Sequence, residues 1–543
     1  MNKLLLFIFL FGCLTLTGKA QTQQWDKLEL SFTSKKQYQN PLYELEEFYA
    51  VFTSPTGRTR KIHGFWDGEQ AFKLRFSPDE LGTWTYQTHS PDNGLGGQQG
   101  KFHCVPTTNP LTLYQKGAIK RSKGDYHLSY SDGTPFFFTA CTAWNGPLKS
   151  TDEEWERYLS HRAKNNYNVI QFVTTQWRGA STDRHGEVAF TGSGKINLNT
   201  EFFKRLDKKV DRINAHGLVA APVLLWALPV GSGRELSPGY TLPDAEAILL
   251  ARYMVARYGG NHVIWFLGGD GQYTDSFEQR WKTIGRGVFG DMEHPGVVAQ
   301  HPRGSSWIGE LYKDEHWLDI VGYQSSHNNQ QAVVDWINKG PMANQWDKLP
   351  SRPLINLEPN YEEINFKITA EDVRNASYWS VFATPLAGIT YGANGIWPWI
   401  QEEQGLIENH GNPGGKGPTP WYKSIDFPGS LQIGYLSAFI QQYEWWKLKP
   451  VPELLIEQPG DKVFNHFIPV VADDSHTLLL AYTPVQQEIK IRNPRNLSYT
   501  AQWFDPVHNK YSKAELNTGK GWISSTPPAT QDFVLVLEVV SSD

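Results

Sequence analysis

Between about residues 117 and 442, short apolar runs alternate with amphipathic stretches, and this alternation constrains the fold more than any other feature of the chain. Eight candidate strands lie in this region, at residues 135–140, 169–174, 219–225, 263–267, 296–300, 320–323, 353–357 and 388–391. Several of them are continuously apolar, which is typical of parallel strands buried on both faces. Eight strands that alternate with helices predict an α/β fold built on a closed (β/α)8 TIM barrel.

Helix signals fall between the candidate strands. Thr151 and Glu154 have the spacing of a capping box and predict the start of one helix. A second helix is predicted from an apolar stripe with helical spacing, formed by Phe202, Leu206, Val210 and Ile213. A third is predicted over Asp244–Tyr258, where the following Gly259 ends the pattern. These helices would supply the outer layer that a parallel barrel requires.

The stretches on either side of this region alternate apolar and polar residues instead, as short antiparallel strands do. Turn sequences, such as the one at residues 54–57, separate the runs. Two small β-sandwich domains are therefore predicted to flank the barrel. The resulting organisation has four parts: a signal peptide at residues 1–20, an N-terminal sandwich at 25–110, a catalytic barrel at 111–445 and a C-terminal sandwich at 451–543.

The first twenty residues have the pattern of a secretory signal. Lys3 precedes an apolar run at residues 4–11, and Ala20 ends a small-residue cleavage site. The run is too short for a membrane-spanning helix. Cys13 lies in a sequence that resembles a bacterial lipobox, so lipidation is the alternative to cleavage after Ala20. We expect an exported protein, periplasmic or extracellular, that contacts a membrane only if Cys13 is lipidated.

Composition narrows the classes of partner. The net charge of −5 over 543 residues provides no basic excess, so nucleic acid is not expected as a partner. The 21 Trp residues suggest flat apolar faces for sugar rings, although aromatic-rich β cores would also explain them. Cys104 and Cys141 fall in different predicted domains, so a disulfide is not expected. No cofactor and no metal site are predicted.

Two carboxyl groups follow barrel strands at positions where reactive groups of this fold gather, just after the carboxyl ends of the strands. Asp270 is the first ionisable residue after the fourth candidate strand, and Glu358 is the first after the seventh. Those strands lie on opposite sides of an eight-stranded barrel, so the two side chains can face each other. Such a pair suits hydrolysis of a glycosidic bond, in which one group protonates the leaving oxygen. Taken singly, either residue could instead serve a turn, a cap or a salt bridge.

Aromatic and hydrogen-bonding residues follow other strands and would suit a sugar-binding subsite. The predicted substrate-binding residues are Trp144, Asn145, Gln176, Trp177, Trp226, Gln324, His327, Tyr391, Trp397 and Trp399. Core packing is the alternative for each Trp. His327 is expected to form hydrogen bonds rather than to bind a metal, because no second ligand has suitable spacing.

Three groups of motifs carry a family resemblance. Residues 63–68 and 75–79 resemble the N-terminal Ig-like domain that precedes many bacterial glycosidase barrels. Residues 130–137, 142–144 and 263–270 resemble the apiosidase-like family of retaining-type barrel hydrolases. Residues 480–484, 503–506 and 527–535 are similar to a sandwich that is labelled as collagen-binding.

The resemblance implies that Asp270 matches the acid/base position and Glu358 the nucleophile position. This chain departs from the pattern of the broader clan at one place. The clan usually has Asn then Glu where this chain has Gly269 then Asp270. The shorter acid moves the proton donor by about one methylene, which affects the geometry of the bond that it can serve. Substrate identity does not carry over, since binding loops vary freely on this fold.

The sequence thus predicts an exported glycoside hydrolase that acts on a plant or algal polysaccharide or oligosaccharide. Hydrolysis is expected to be retaining, with Glu358 as nucleophile and Asp270 as acid/base. The alternative from another class is a non-catalytic surface glycan-binding protein or adhesin. A polysaccharide lyase is a further alternative, which would need a Tyr or His base and groups that neutralise a uronate.

Overall fold

The computed structural model describes residues 21–410 and 416–540, and a closed parallel barrel forms its centre. The predicted signal peptide, including Lys3, Cys13 and Ala20, lies outside the described residues. Additional β-sheets precede and follow the barrel along the chain. In the described part of the chain, no helix combines the length and the apolar character needed to cross a bilayer.

Eight parallel strands close the barrel, which confirms the predicted fold class. We number them β1 to β8 in chain order: Phe138–Thr142, Val169–Val173, Val219–Trp226, Trp265–Gly269, Val298–Gln300, Ile320–Gln324, Leu354–Glu358 and Gly388–Tyr391. The first strand begins later than predicted, because Pro135–Phe136 pairs with Leu128–Tyr130 in a small separate sheet. That sheet also contains Ile119–Arg121. The chain therefore enters the barrel only at Phe138.

The predicted helices are present around the barrel. The helix Asp152–Lys164 begins with the capping box of Thr151 and Glu154, and both of its hydrogen bonds form. The helix Thr200–Ala215 buries the predicted apolar stripe, and the third helix spans Asp244–Tyr258. The other long helices are Glu278–Phe289, Gln331–Lys339, Ala370–Phe382 and Pro428–Ile440. Short helices lie at Pro41–Glu44, Thr112–Lys116, Gly146–Lys149, Pro238–Thr241, Pro341–Gln345 and Trp421–Ser424.

Before the barrel, two sheets pack against each other. The five-stranded sheet contains, in spatial order, Gln21–Gln23, Gln99–Val105, Gly82–His89, Tyr49–Thr53 and Thr59–His63. The three-stranded sheet contains Leu28–Thr33, Ala71–Phe76 and Phe65–Gly68. Phe52 and Trp84 from the first sheet and Phe76 from the second are buried in one core. Burial of both inner faces is what defines a sandwich arrangement.

After the barrel, a second pair of sheets encloses its own core. The six-stranded sheet contains Lys449–Pro450, Val470–Ala472, Leu478–Thr483, Phe533–Val539, Tyr499–Asp505 and Lys510–Lys513. The three-stranded sheet contains Ile489–Arg492, Trp522–Ser525 and Asn517–Gly519. Trp503 from the first sheet and Ile523 from the second share one buried cluster. Arg374 of a barrel helix donates two hydrogen bonds to Asp532 and so fastens these sheets to the barrel.

A buried ionic network joins the N-terminal sheets to the barrel. Arg257 is fully buried and donates to both carboxylate oxygens of Asp207 and to Asp67. Arg75 of the N-terminal sheets donates to the same Asp207 and to the carbonyl of Arg257. Because a buried charge is stable only when paired, each member of the network depends on the others. The network therefore fixes how the N-terminal sheets rest on the barrel.

Asp207→Asn is expected to lower the free energy of unfolding by about 3–5 kcal/mol, because it leaves two buried guanidinium groups without their shared counter-charge. Urea unfolding followed by Trp fluorescence measures the effect. Glu201→Gln on the same helix is the control, since its exposed pair with Lys204 should contribute under about 1 kcal/mol. Equal destabilisation by the two substitutions would contradict a stabilising role for the network.

Candidate active site

Glu358, the last residue of β7, lies between two histidine side chains. The Nε2 atom of His327 lies 3.0 Å from Oε1 of Glu358, and Nε2 of His301 lies 3.2 Å from Oε2. His301 directly follows β5, and His327 follows β6. The ends of three neighbouring strands thus converge on one carboxylate, of which 7% is exposed.

The two histidines determine the charge of Glu358. Burial favours the neutral form of a carboxyl group and would raise its pKa. The imidazoles of His301 and His327 outweigh burial and hold the pKa of Glu358 well below its ordinary value. The group is therefore ionised at neutral pH, which a nucleophile or general base requires.

Tyr361 supports the histidine side of this arrangement. Its ring lies against that of His327, with the ring centres 4.4 Å apart. Its hydroxyl accepts a hydrogen bond of 3.1 Å from Nε1 of Trp144. Burial raises the pKa of Tyr361 well above its usual range, so the phenol stays neutral. Trp144 and His327 are thereby held by one fully enclosed side chain.

Asp270 follows β4 in a backbone conformation that few residues adopt. Its φ is 46°, in the left-handed region, and its backbone N–H donates to Nδ1 of His301 at 3.1 Å. The preceding Gly269 leaves no room for a side chain, because a Cβ there would lie 2.7 Å from atoms of Trp226 and Val223. The glycine lets the Trp226 ring pack directly against the strand that presents Asp270.

Asp270 has the opposite electrostatic environment from Glu358. Burial and the negative charge of Glu358 raise the pKa of Asp270 well above its ordinary value. Arg178 and Arg303 act in the other direction without reversing the shift. The barrel mouth therefore holds one carboxyl group whose surroundings favour the protonated form and one whose surroundings favour the ionised form. Pairs whose environments separate their pKa values in this way are suited to acid and base roles.

Aromatic rings form a continuous cluster beside the carboxyl groups. Trp226 contacts Trp177 with ring centres 4.3 Å apart and Trp144 at 5.4 Å. Trp397 contacts Trp177 at 6.0 Å and His410 at 4.9 Å. The indole N–H groups of Trp226 and Trp397 are buried and have no hydrogen-bond partner among the described residues. Aromatic faces with free donors are the groups that bind sugar rings and hydroxyls.

The loops after β2 and β8 are joined into one rim beside this cluster. The backbone N–H of Ser181 donates to Glu408, and Nη2 of Arg178 donates to the carbonyl of Asn409. Asn409 returns a hydrogen bond to the carbonyl of Arg178. These contacts fix the position of Arg178, one of the two arginines whose positive charge lowers the pKa of Asp270.

Among the predicted substrate-binding residues, Trp144, Trp177, Trp226 and Trp397 lie together in the aromatic cluster. His327 contacts Glu358 directly, and Gln324 pairs with Glu358 across the neighbouring strands. The side-chain oxygen of Gln324 is buried and accepts no hydrogen bond from the residues described.

Asn145 and Gln176 lie near the cluster, but their side chains form hydrogen bonds with other protein groups. Asn145 accepts from Nε1 of Trp177 and donates to the carbonyls of Gly179 and Pro398. Gln176 is paired with the backbone of residues 189 and 190. Both residues therefore position loops and the Trp177 ring rather than offering free groups.

The structure does not bring Tyr391 and Trp399 to the cluster. The Tyr391 hydroxyl donates to Glu362, and its ring packs among groups behind the barrel wall. Trp399 stacks on Trp421 with ring centres 4.6 Å apart and donates to Glu154 of the first long helix. Tyr391 is the last residue of β8 and Trp399 follows the strand, and these contacts direct both side chains away from the aromatic cluster. Trp399 itself has a positive φ of 59°.

The sequence-based selection missed His301, Tyr361 and His410. His301 is the first ionisable residue after β5, so the rule that selected Asp270 and Glu358 would also have selected it. Tyr361 lies three residues beyond Glu358 and was recognisable only from the direction of its side chain. His410 reaches the cluster from the far end of a long loop, and no sequence signal points to it.

Cys104 and Cys141 are free and buried. Within residues 21–410 and 416–540, no group of three or more His, Cys, Asp and Glu side chains is arranged to hold a metal ion.

A closed parallel barrel with these two carboxyl groups and an aromatic cluster at its mouth is the architecture of a glycoside hydrolase. The model of the apiosidase-like catalytic domain matches residues 122–447, more than half of the chain. The protein belongs to the apiosidase-like family and is a glycosidase that acts on carbohydrate. A domain of unknown function, DUF5060, matches residues 21–91. No curated protein matches the chain.

Solved structures share this architecture. A glycoside hydrolase is 22% identical, with a TM-score of 0.68 over 79% of this chain and 98% of its own. A family 5 glycoside hydrolase from Bacteroides vulgatus is 21% identical, with a TM-score of 0.67 over 79% and 95%. A candidate glycoside hydrolase from the same organism is 15% identical, with a TM-score of 0.71 over 96% and 100%. At these identities the similarity is one of fold.

Proposed function

We propose that the protein is an exported, retaining glycosidase that acts on a plant or algal polysaccharide or oligosaccharide. In this proposal Glu358 is the nucleophile and Asp270 is the acid/base. The observation that carries it is that two carboxyl groups at one barrel mouth have surroundings that shift their pKa values in opposite directions. The signal pattern at residues 1–20 supports export, and the aromatic cluster supports binding of sugar rings.

The first step uses both groups at once. The Glu358 carboxylate attacks the anomeric carbon, and the bond from that carbon to the glycosidic oxygen breaks. Asp270 gives its proton to the departing oxygen, so the aglycone leaves as an alcohol. A glycosyl ester of Glu358 remains, and Asp270 is now ionised.

In the second step Asp270 takes a proton from water. The resulting hydroxide attacks the anomeric carbon, and the ester bond to Glu358 breaks. Both carboxyl groups return to their starting charge. Two inversions at the same carbon give net retention.

A purely glycan-binding protein or adhesin would not need this arrangement. Carboxyl groups that serve structure are usually paired with Lys or Arg. Among the described residues, Glu358 has ion-pair contacts with histidines only, and Asp270 has none within 4.0 Å. This favours the enzyme over the binder.

Incubation with a panel of pectic, hemicellulosic and algal oligosaccharides is expected to release a reducing sugar from at least one substrate. Proton NMR taken during the first minutes should show the product with the same anomeric configuration as the substrate. The physical reason is that one imidazole, that of His301, contacts both catalytic residues and keeps them close. Retention requires carboxyl groups about 5–5.5 Å apart, whereas inversion requires about 6.5–9.5 Å.

The panel also separates the alternatives. An initially inverted product would contradict the retaining mechanism but not the glycosidase. Unsaturated sugar products would indicate a lyase. Tight binding without any product, by a folded protein across the whole panel, would favour the glycan-binding protein.

A further inference from the structure

His301 links the two catalytic groups through one side chain. Its Nδ1 lies 3.1 Å from the backbone nitrogen of Asp270, and its Nε2 lies 3.2 Å from Oε2 of Glu358. The side chain is fully buried, and it packs against the Trp144 ring at 5.7 Å and near Phe266 at 6.4 Å. The ring therefore cannot turn freely.

The contact to Asp270 fixes the proton of His301. A backbone N–H can only donate, so the Nδ1 atom that it faces must accept and carries no proton. The proton of a neutral imidazole is then on Nε2, the atom that faces Glu358. In the neutral ring the hydrogen therefore lies on the side of Glu358, whose Oε2 is 3.2 Å away but not aligned for a hydrogen bond.

His327 contacts the same carboxylate, but the partners of its two ring nitrogens differ from those of His301. Its Nδ1 lies 2.9 Å from the carbonyl oxygen of Pro359, and its Nε2 lies 3.0 Å from Oε1 of Glu358. A carbonyl and an ionised carboxylate both accept hydrogen bonds and donate none. Both contacts of His327 are hydrogen bonds at the same time only when both of its nitrogens carry protons, which is the cationic form of the ring.

We propose that His301 is a positioning residue that, as the neutral Nε2–H tautomer, sets the backbone of Asp270 against the carboxylate of Glu358, while His327 is the cationic partner of that carboxylate. The inference relies on the proposed function for the roles of Asp270 and Glu358. The contacts that carry it are independent of those roles.

Backbone geometry explains why such a residue is needed. A left-handed conformation is less favourable for Asp than for glycine, although Asp tolerates it better than most residues, so outside contacts help to hold Asp270 in it. The hydrogen bond to His301 is one such contact. The charged groups around His301 are the carboxyls of Asp270 and Glu358, the imidazole of His327, and Arg303 two residues along the chain. A proton added at Nδ1 would face the Asp270 N–H and break the contact.

The direct test is NMR of the purified protein grown with isotope-labelled histidine. The nitrogen shifts of a histidine distinguish its two neutral tautomers from the cation, and signals are assigned by their loss in His301→Asn and His327→Gln. At neutral pH we expect the Nε2–H tautomer for His301 and the cation for His327. A cationic or Nδ1–H His301, or a neutral His327, would overturn the proposal. This result does not depend on finding a substrate.

Two substitutions then separate the two contacts of His301. His301→Asn places an acceptor near the Nδ1 position and keeps the contact to Asp270, whereas His301→Gln places a donor near the Nε2 position and keeps the contact to Glu358. His301→Gln should lower kcat/KM by about 10²-fold on the natural linkage, because a misplaced acid is costly. The loss of kcat/KM in this variant should be much smaller on an aryl glycoside of the same sugar, because the leaving group of that substrate needs no proton.

His301→Asn should instead slow both substrates to the same degree and leave the alkaline limb of the pH–rate profile in place. Identical losses and identical pH profiles for the two variants would show that His301 only fills space. Should Glu358→Gln keep its activity, the proposed function fails, and the NMR result still decides the tautomer.

Discussion

Glu358→Gln is expected to lower kcat/KM by roughly 10⁴-fold or more, because an amide can neither ionise nor form the glycosyl ester. The fold should persist, since the amide oxygen can still accept the hydrogen bond from His327 and the side chain keeps its size. The rate is measured on the oligosaccharide that the panel identifies. Thermal unfolding of the variant, followed by circular dichroism, shows whether the barrel is intact.

Glu363→Gln is a matched control in the same loop. The Glu363 carboxylate accepts a hydrogen bond from Thr419 and contacts neither histidine of the site. Its removal should change kcat/KM less than about threefold, which is below 1 kcal/mol. Full activity of a folded Glu358→Gln protein would refute the assignment of the nucleophile.

Asp270→Asn is expected to lower kcat/KM by about 10²–10⁴-fold on a substrate with a poor leaving group, the usual contribution of a general acid. Asn is a suitable replacement because it also tolerates the left-handed backbone. An aryl glycoside with a good leaving group should form the glycosyl-enzyme at a nearly normal rate and then accumulate it. A burst of released phenol followed by slow turnover is the expected signature.

The pH dependence follows from the directions of the two pKa shifts. Glu358 must be ionised, and its lowered pKa keeps it so until the solution is strongly acidic. Asp270 must be protonated, and its raised pKa keeps the proton well above the range of an ordinary Asp. Activity should therefore fall on the alkaline side as Asp270 loses its proton. In Asp270→Asn this alkaline limb should disappear; an unchanged limb would assign it to another group.

Much of the architecture was predictable because it depends on local pattern. The continuous apolar runs at residues 219–225 and 263–267 correspond to the buried parallel strands β3 and β4, and the capping box at Thr151 starts a helix. The rule that reactive groups follow the carboxyl ends of strands selected Asp270 and Glu358. The same rule would have selected His301, but its strand has only three residues and its apolar signal is weak.

Side-chain direction was not predictable in the same way. Tyr391 ends β8, and Trp397 and Trp399 follow it, yet only Trp397 reaches the aromatic cluster. Direction depends on backbone turns after the strand, and these are set by contacts with distant groups. For Trp399 those contacts are the Trp421 ring and Glu154.

The sequence alone determined that eight strands alternate with helices, since periodicity is a property of neighbouring residues. It also determined which carboxyl groups end the fourth and seventh strands, since that follows from strand order. Only the tertiary structure decided the charge of each carboxyl group. Burial and the position of His301 and His327 arise from segments that are distant in the chain, and a pKa depends on what surrounds a group in space.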